Sequence, residues 1–264
     1  MPYIATNEGQ LYYADHRKAD STRTPVIFVH GAGGSRLDWP PELRRLPAAN
    51  AIALDLPGHG NSPSPGRSDI LDYARVVLAL MDALEIKEAI ICGHSMGGGI
   101  AQTVALIAPE RTRGIILIGT GAKLRVHPDI LNRVREQKAD VVTLLQDWIW
   151  ADPAPPDAKE NAYHGLMNTP ADVIYGDYLA CDSFDIREQL GGIRAPALIF
   201  AGSADLMTPH KFGEYLAQNI PHAQLVTISN GGHMMALEQP QKVASVVGQW
   251  LDSAVIRGTT DASS

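Results

Sequence analysis

Short runs of consecutive apolar residues alternate along this chain with stretches in which apolar positions recur every three or four residues. The runs are Val26–Val29, Ala51–Leu54, Ala89–Cys92, Gly114–Ile118, Ala197–Ala201 and Gln224–Ile228. They lack the polar alternation of a half-exposed strand, so each predicts a strand covered on both faces in a parallel sheet. Ahead of them, Tyr3–Thr6 and Gln10–Ala14 flank the turn Asn7-Glu8-Gly9 and predict an antiparallel hairpin. Helical spacing fills the gaps. Ile70, Tyr73, Val76, Val77, Leu80 and Leu84 share one face of a helix that Ser68 is placed to cap. Pro209 is expected to open a helix through Phe212, Tyr215 and Leu216, and a last helix follows Pro240 with Val243, Val246, Val247, Trp250 and Leu251 on one stripe. The alternation reads as a parallel α/β sheet with an antiparallel start.

The rhythm breaks between Gly119 and Ile193, where helical stretches occur without a convincing strand. Ile130, Leu131 and Val134 form one apolar face, and Val141, Leu144, Leu145, Trp148 and Ile149 form another. Thr169-Pro170-Ala171-Asp172 reads as a capping box with proline at the first helical position, and Ala151–Pro156 as a rigid turn. An all-helical insertion between two parallel strands is expected to lie over the carboxyl edge of the sheet as a cap. The division that follows is a core of residues 1–119 and 193–256, a cap of 120–192 and a disordered tail of 257–264.

The chemistry starts at Gly93-His94-Ser95-Met96-Gly97, which follows the run ending at Cys92 and precedes the helical stretch Ile100–Ala108. Strand, tight turn and helix in that order form a nucleophile elbow, and they make Ser95 the candidate nucleophile. Its hydroxyl needs a base, and the base needs an orienting acid. Ligands gather where parallel strands end. The strand ending at Ile228 leads into Ser229-Asn230-Gly231-Gly232-His233, and the strand ending at Ala201 leads into Gly202-Ser203-Ala204-Asp205. The strand ending at Ile118 runs into Gly119-Thr120-Gly121-Ala122, which offers no competing acid. His233 is therefore the expected base and Asp205 its acid. Two amides must face the developing oxyanion. Met96 is one donor, at a helix start. The other is expected from His30-Gly31-Ala32-Gly33-Gly34, with Ala32 the choice and Gly33 the fallback.

These pieces, together with Asp55-Leu56-Pro57-Gly58-His59-Gly60-Asn61-Ser62, stand in an order that resembles the α/β-hydrolase superfamily, in its small capped branch. The resemblance runs from about Pro25 to Leu251. It implies a mostly parallel eight-stranded sheet flanked by helices, a helical cap, the triad Ser95, Asp205 and His233, and no cofactor. It is weakly specific for the reaction, since esterases, lactonases, carbon–carbon bond hydrolases and cofactor-free perhydrolases share it. Ser95 argues against the dehalogenase-like and epoxide-hydrolase-like members, which carry aspartate there. The expected reaction is cleavage of a small ester, lactone or related acyl substrate. A carbon–carbon hydrolase, a perhydrolase and a slow ligand-sensing protein are the alternatives. The first needs polar or cationic cap groups for a dicarboxylate-like substrate, and Arg125, Arg133, Arg135 and Lys138 are available, though a solvated helix face explains them better.

The chain has 264 residues, 45% hydrophobic and 19% charged, with a net charge of −7 and no basic run, which makes nucleic acid and membrane surfaces poor partners. No apolar span approaches the ~20 residues of a membrane helix, and two cysteines, Cys92 and Cys181, imply no disulfide framework. A cytoplasmic protein, monomeric or homodimeric, is expected. No cluster has metal-ligand spacing, and the glycines of residues 31–34 lack the Lys-Ser/Thr of a phosphate loop. Bland roles account for several polar residues: Asp55 and His59 as turn formers, His30 as a brace of the glycine loop, His94 packed under the elbow, and Glu238 at a helix start. The expected substrate-lining residues are Gly31, Gly33, Leu37, Trp148, Leu206 and Met234, in a largely apolar pocket.

Overall fold

The computed structural model describes residues 3–18, 21–63, 65–253 and 256; the predicted tail, 257–264, lies outside them. Eight strands form one sheet: β1 (Tyr3–Thr6), β2 (Gly9–Asp15), β3 (Val26–Val29), β4 (Ala51–Asp55), β5 (Ala89–His94), β6 (Thr112–Ile118), β7 (Ala197–Gly202) and β8 (Ala223–Ile228). Their spatial order is β1-β2-β4-β3-β5-β6-β7-β8. The pairs β1–β2 and β2–β4 are antiparallel and the remaining pairs are parallel.

Both faces are covered, which explains the uninterrupted apolar runs. Ile27 and Val29 of β3 join one core cluster, while Val26 and Phe28 join the cluster on the opposite face. The first face packs against α2 (Ile70–Ala83), α3 (Met96–Ile107) and α8 (Lys211–Asn219). The second packs against α1 (Pro41–Arg44), the short α9 (Met235–Glu238) and α10 (Pro240–Leu251), with Trp39 and Trp250 in its core.

Between β6 and β7 run four helices: α4 (Pro128–Arg133), α5 (Lys138–Ile149), α6 (Pro156–Asn168) and α7 (Ala171–Ser183). Ile130, Val134, Val141, Leu145, Ile174 and Tyr178 gather into their own cluster, which rests on Ala32 and Met207 of the core loops. No described helix is long and apolar enough to cross a membrane.

Three local expectations need correction. Asp69, not Ser68, caps α2, because its carboxylate accepts from the Leu71 amide. Helix α8 starts at Lys211, with Pro209 in the turn before it. Thr169 forms no capping box; it closes α6 as its C-terminal cap, its hydroxyl donates to the carbonyls of Gly33 and Gly165, and Pro170 precedes α7 without a side-chain cap.

Candidate active site

Ser95 sits between β5 and α3 at φ 53° and ψ −116°, a left-handed backbone that a side chain adopts only under constraint. The constraint is close packing on either side. A Cβ on Gly93 would collide with the Gly97 carbonyl, and one on Gly97 would collide with the Val29 carbonyl. Glycine is required at both positions for the turn to seat against β3.

The loops after β7 and β8 bring an acid and an imidazole together. His233 Nδ1 lies 3.0 Å from Asp205 Oδ2, with both side chains buried. Asp205 is heavily solvated by the protein. Its Oδ1 accepts from the amides of Met207 (2.9 Å) and Thr208 (2.8 Å), and its Oδ2 accepts from the Thr208 hydroxyl (2.7 Å). Burial opposes its charge, but His233 and these donors outweigh burial and hold the carboxyl below the usual carboxylate range. Thr208 was not legible from the sequence. Gly119, at the end of β6, leaves the space that this pair occupies: a Cβ there would lie 3.3 Å from both Asp205 Oδ2 and His233 Nδ1.

Ser95, His233, Gly31 and Ala32 line one narrow inner chamber of about 70 Å3, room for several water-sized spheres. Leu145, Leu166 and Tyr178 of the insertion roof it, and Met234 and Cys181 also reach it. A second, wider groove also reaches Ser95 from outside, walled by Trp148, Leu206, Met207 and Phe212 and edged by Arg125 and His127. No described residue accepts from the amides of Ala32 or Met96, and Met96 opens α3, where helix amides lack internal partners.

The expected substrate residues therefore separate. Gly31 and Met234 line the inner chamber, while Trp148 and Leu206 line the outer groove. Leu37 lines neither: a short 3-10 turn, Arg36–Asp38, carries it outward to 62% exposure. Gly33 is also displaced from both expected roles. Its amide donates to Asp177 Oδ2 at 2.7 Å, so it is not free for an oxyanion, and a Cβ on it would meet Leu166 and Ile174 rather than the chamber.

That bond belongs to a buried polar cluster absent from the sequence reading. Asp177, on α7, is fully buried and takes the His59 ring at 2.7 Å and the Tyr73 hydroxyl at 2.5 Å as well as Gly33. His59 Nδ1 faces the Pro57 carbonyl at 3.0 Å, so both ring nitrogens face acceptors and both must donate. That arrangement suits an imidazolium: burial disfavours the charge, but Asp177 outweighs burial and raises the His59 pKa above the ordinary histidine value. His30 packs beside it, ring centroids 4.8 Å apart with the planes tilted by 56°, in the opposite state. Its Nδ1 faces the Gly31 carbonyl while its Nε2 accepts from the Leu56 amide, which defines a neutral tautomer, and burial pushes its pKa well down. The sequence did carry a clue to Asp177: an acid on a helix whose neighbours at three and four residues, Val173, Ile174, Ala180 and Cys181, are all apolar and buried.

Other polar residues have structural partners. Asp55 accepts from the amides of Arg36 and Asn61 and pairs with the Arg36 guanidinium. His94 Nε2 lies 2.9 Å from the His233 carbonyl, and burial pushes its pKa down to about 3, so it supports the His233 loop uncharged. Glu238 is not simply a helix-start carboxylate; it accepts from the amides of Gly232 (2.6 Å) and Ala151 (3.0 Å), tying the His233 loop to the insertion. Arg133 pairs with Asp140, Arg135 with Asp172, and Lys138 donates to the carbonyls of Met167 and Thr169. Among the described residues no group of three or more His, Cys, Asp or Glu could hold a metal, and both cysteines are free and buried.

A mostly parallel sheet with a strained serine between a strand and a helix, and a buried acid–imidazole pair on the last two strand loops, defines an α/β-hydrolase architecture. The sequence profile of the alpha/beta hydrolase family matches residues 26–246. The chain belongs to that family and is a hydrolase. It is 31% identical over 247 residues to 3-oxoadipate enol-lactonase 2 of Acinetobacter baylyi, covering 90% of this chain and 91% of that one. It is 28% identical over 260 residues to a protein of Azorhizobium caulinodans whose carbamate hydrolase name is itself provisional, covering 91% and 94%. The crystal structure of an enol-lactonase from Burkholderia xenovorans superposes with a TM-score of 0.89 at 24% identity, covering 96% of this chain and all of that chain, which is a likeness of fold.

Proposed function

We propose that the chain is a serine hydrolase that cleaves a small ester, lactone or related acyl substrate through an acyl-enzyme on Ser95, with residues 120–192 as its cap. One observation carries this reading: the strained Ser95 shares the inner chamber with His233, whose Nδ1 is already committed to Asp205. With Nδ1–H donated to the carboxylate, Nε2 is the free base. It takes the Ser95 proton as the hydroxyl oxygen attacks the carbonyl carbon. Asp205 stabilises the imidazolium that forms. The Ala32 and Met96 amides receive the oxyanion. His233 returns the proton to the leaving oxygen as the acyl bond breaks, then deprotonates water to release the acid and restore Ser95. No cofactor enters this sequence.

A small chamber roofed by leucines favours short acyl groups. The names of the relatives, an enol-lactonase and a carbamate hydrolase, fit an acyl carbonyl as the electrophile. A carbon–carbon hydrolase is less favoured, because Arg133, Arg135 and Lys138 are engaged elsewhere in the insertion, which leaves Arg125, at the edge of the outer groove, as the one of the four cations beside the site.

The test is steady-state hydrolysis of p-nitrophenyl esters of increasing acyl length, with Ser95→Ala as control. Turnover that peaks at short chains and disappears in the variant is the expected result. Equal turnover in Ser95→Ala would overturn the mechanism.

A further inference from the structure

We propose that the inner chamber admits an uncharged part of the substrate and turns away carboxylates, with Asp38 as the residue that sets this preference. The inference rests on the reading of Ser95 as nucleophile for its catalytic arm only. Apart from the histidines, Asp38 is the one ionisable acid or base with ordinary charge at neutral pH among the described residues lining the chamber, and neither lysine nor arginine reaches it. The arginines nearby are committed or outside: Arg36 is turned to Asp55 and the Tyr12 ring, and Arg125 edges the outer groove.

The carboxyl is built into the wall rather than left hanging. Its Oδ2 accepts from the Ser35 amide at 3.0 Å and fills the place that a side chain on Gly34 would occupy. Oδ1 makes no hydrogen bond to another described residue, which leaves an acceptor for a substrate hydroxyl, amine or amide N–H. A substrate carboxylate in the same space would lose its water, find no cation and face a like charge. A neutral acyl chain of similar shape meets none of these penalties. The substrate portion held there is thus neutral, with a hydrogen-bond donor as its one useful polar group. A lactone bearing a free carboxylate must place it in the outer groove.

The experiment pairs p-nitrophenyl valerate with mono-p-nitrophenyl succinate, which share a leaving group and nearly share a shape. In the full chain the neutral ester is expected to have kcat/KM about 100-fold higher, and in Asp38→Asn that ratio is expected to shrink by about tenfold or more, since a like charge has gone. A ratio unchanged by Asp38→Asn, or a wild-type preference for the succinate ester, overturns the proposal. A second arm does not depend on turnover. In Ser95→Ala, valeramide is expected to raise the melting temperature more than valerate does at equal concentration, and adding Asp38→Asn is expected to narrow the gap. Equal shifts from both ligands overturn the chamber preference. Absence of turnover on either ester overturns the serine mechanism while this binding arm still decides the role of Asp38.

Discussion

The Gly33 amide donates to Asp177 Oδ2 at 2.7 Å, joining the loop beside Ser95 to helix α7 of the insertion. The Gly33 carbonyl accepts from the Thr169 hydroxyl at 2.8 Å, so the insertion holds both backbone polar groups of the residue next to Ala32. At the His233 loop, Glu238 accepts from Ala151 of the insertion and from Gly232 beside His233. Two carboxylates thus fasten the helical roof to the loops that carry the candidate oxyanion donor and the candidate base.

Asp177→Asn should therefore affect rate and stability together. Removing one partner of a buried ion pair leaves the other charge uncompensated, a loss of about 3–5 kcal/mol. A slackened Gly31–Gly34 loop, the candidate oxyanion loop, should cost about 10- to 100-fold in kcat with a smaller change in KM, since small misplacements near reacting atoms are expensive. Steady-state kinetics at a temperature where the variant remains folded separate the two effects. A stability loss with kcat unchanged would show that Asp177 holds the fold without positioning the loop.

The same pair predicts a pH dependence. The pKa of His59 is raised in the folded state, so its contribution is fully present below the ordinary histidine value and is lost as pH rises through the folded value. The gap in unfolding free energy between wild type and Asp177→Asn should be widest near pH 6 and narrow under alkaline conditions. Denaturant titrations across pH 6–10 would measure it, and a gap that widens with pH would contradict an imidazolium at His59.

Glu238→Gln places an NH2 against one of two amides that now share a carboxylate. One unsatisfied donor costs about 1–3 kcal/mol, spent locally at the His233 loop. The expected outcome is a lower melting temperature with kcat/KM on a short p-nitrophenyl ester reduced about tenfold, the factor that 1.4 kcal/mol represents. Unaltered kinetics would detach Glu238 from the positioning of the His233 loop.

The parallel strands were legible because every residue of β3, β4 and β7 is buried, leaving unbroken apolar runs. Ser95, Asp205 and His233 were legible because strand ends and tight glycine turns locate such residues by local rules. Asp177 and Glu238 were not, because their roles depend on pairing with Gly33, His59, Ala151 and Gly232 across the fold. Leu37 misled because proximity to the loop in sequence does not fix the direction of a 3-10 turn. Helix α6 escaped notice because Leu166 is its one buried hydrophobic residue, too few for a periodic signal.

Gly97→Ala tests the elbow without touching a reactive group. Its Cβ would enter the Val29 carbonyl, which is backbone of β3 and cannot rotate away. Overpacking of this kind costs about 1–3 kcal/mol or more. Reduced stability together with lost labelling of Ser95 by a fluorophosphonate is expected. A stable variant that labels at the wild-type rate would mean that the turn tolerates a side chain.

Asp38 gives a prediction of opposite sign to the usual carboxylate. Burial, reinforced by Asp55, pushes its pKa up to about 6, while the Ser35 amide and His59 pull the other way. The folded state then binds a proton more tightly than the unfolded chain, so the group's favourable contribution is complete below pH 3.8 and disappears as pH rises through about 6. Asp38→Asn keeps an oxygen for the Ser35 amide and removes the ionisation. The variant should match the wild type near pH 4 and exceed it at pH 8 by about 2 kcal/mol, a partly solvated site giving less than its full shift. Unfolding midpoints at the two pH values decide the matter: a variant less stable than the wild type at pH 8 would mean that the ionised carboxylate is favoured in the folded chamber wall.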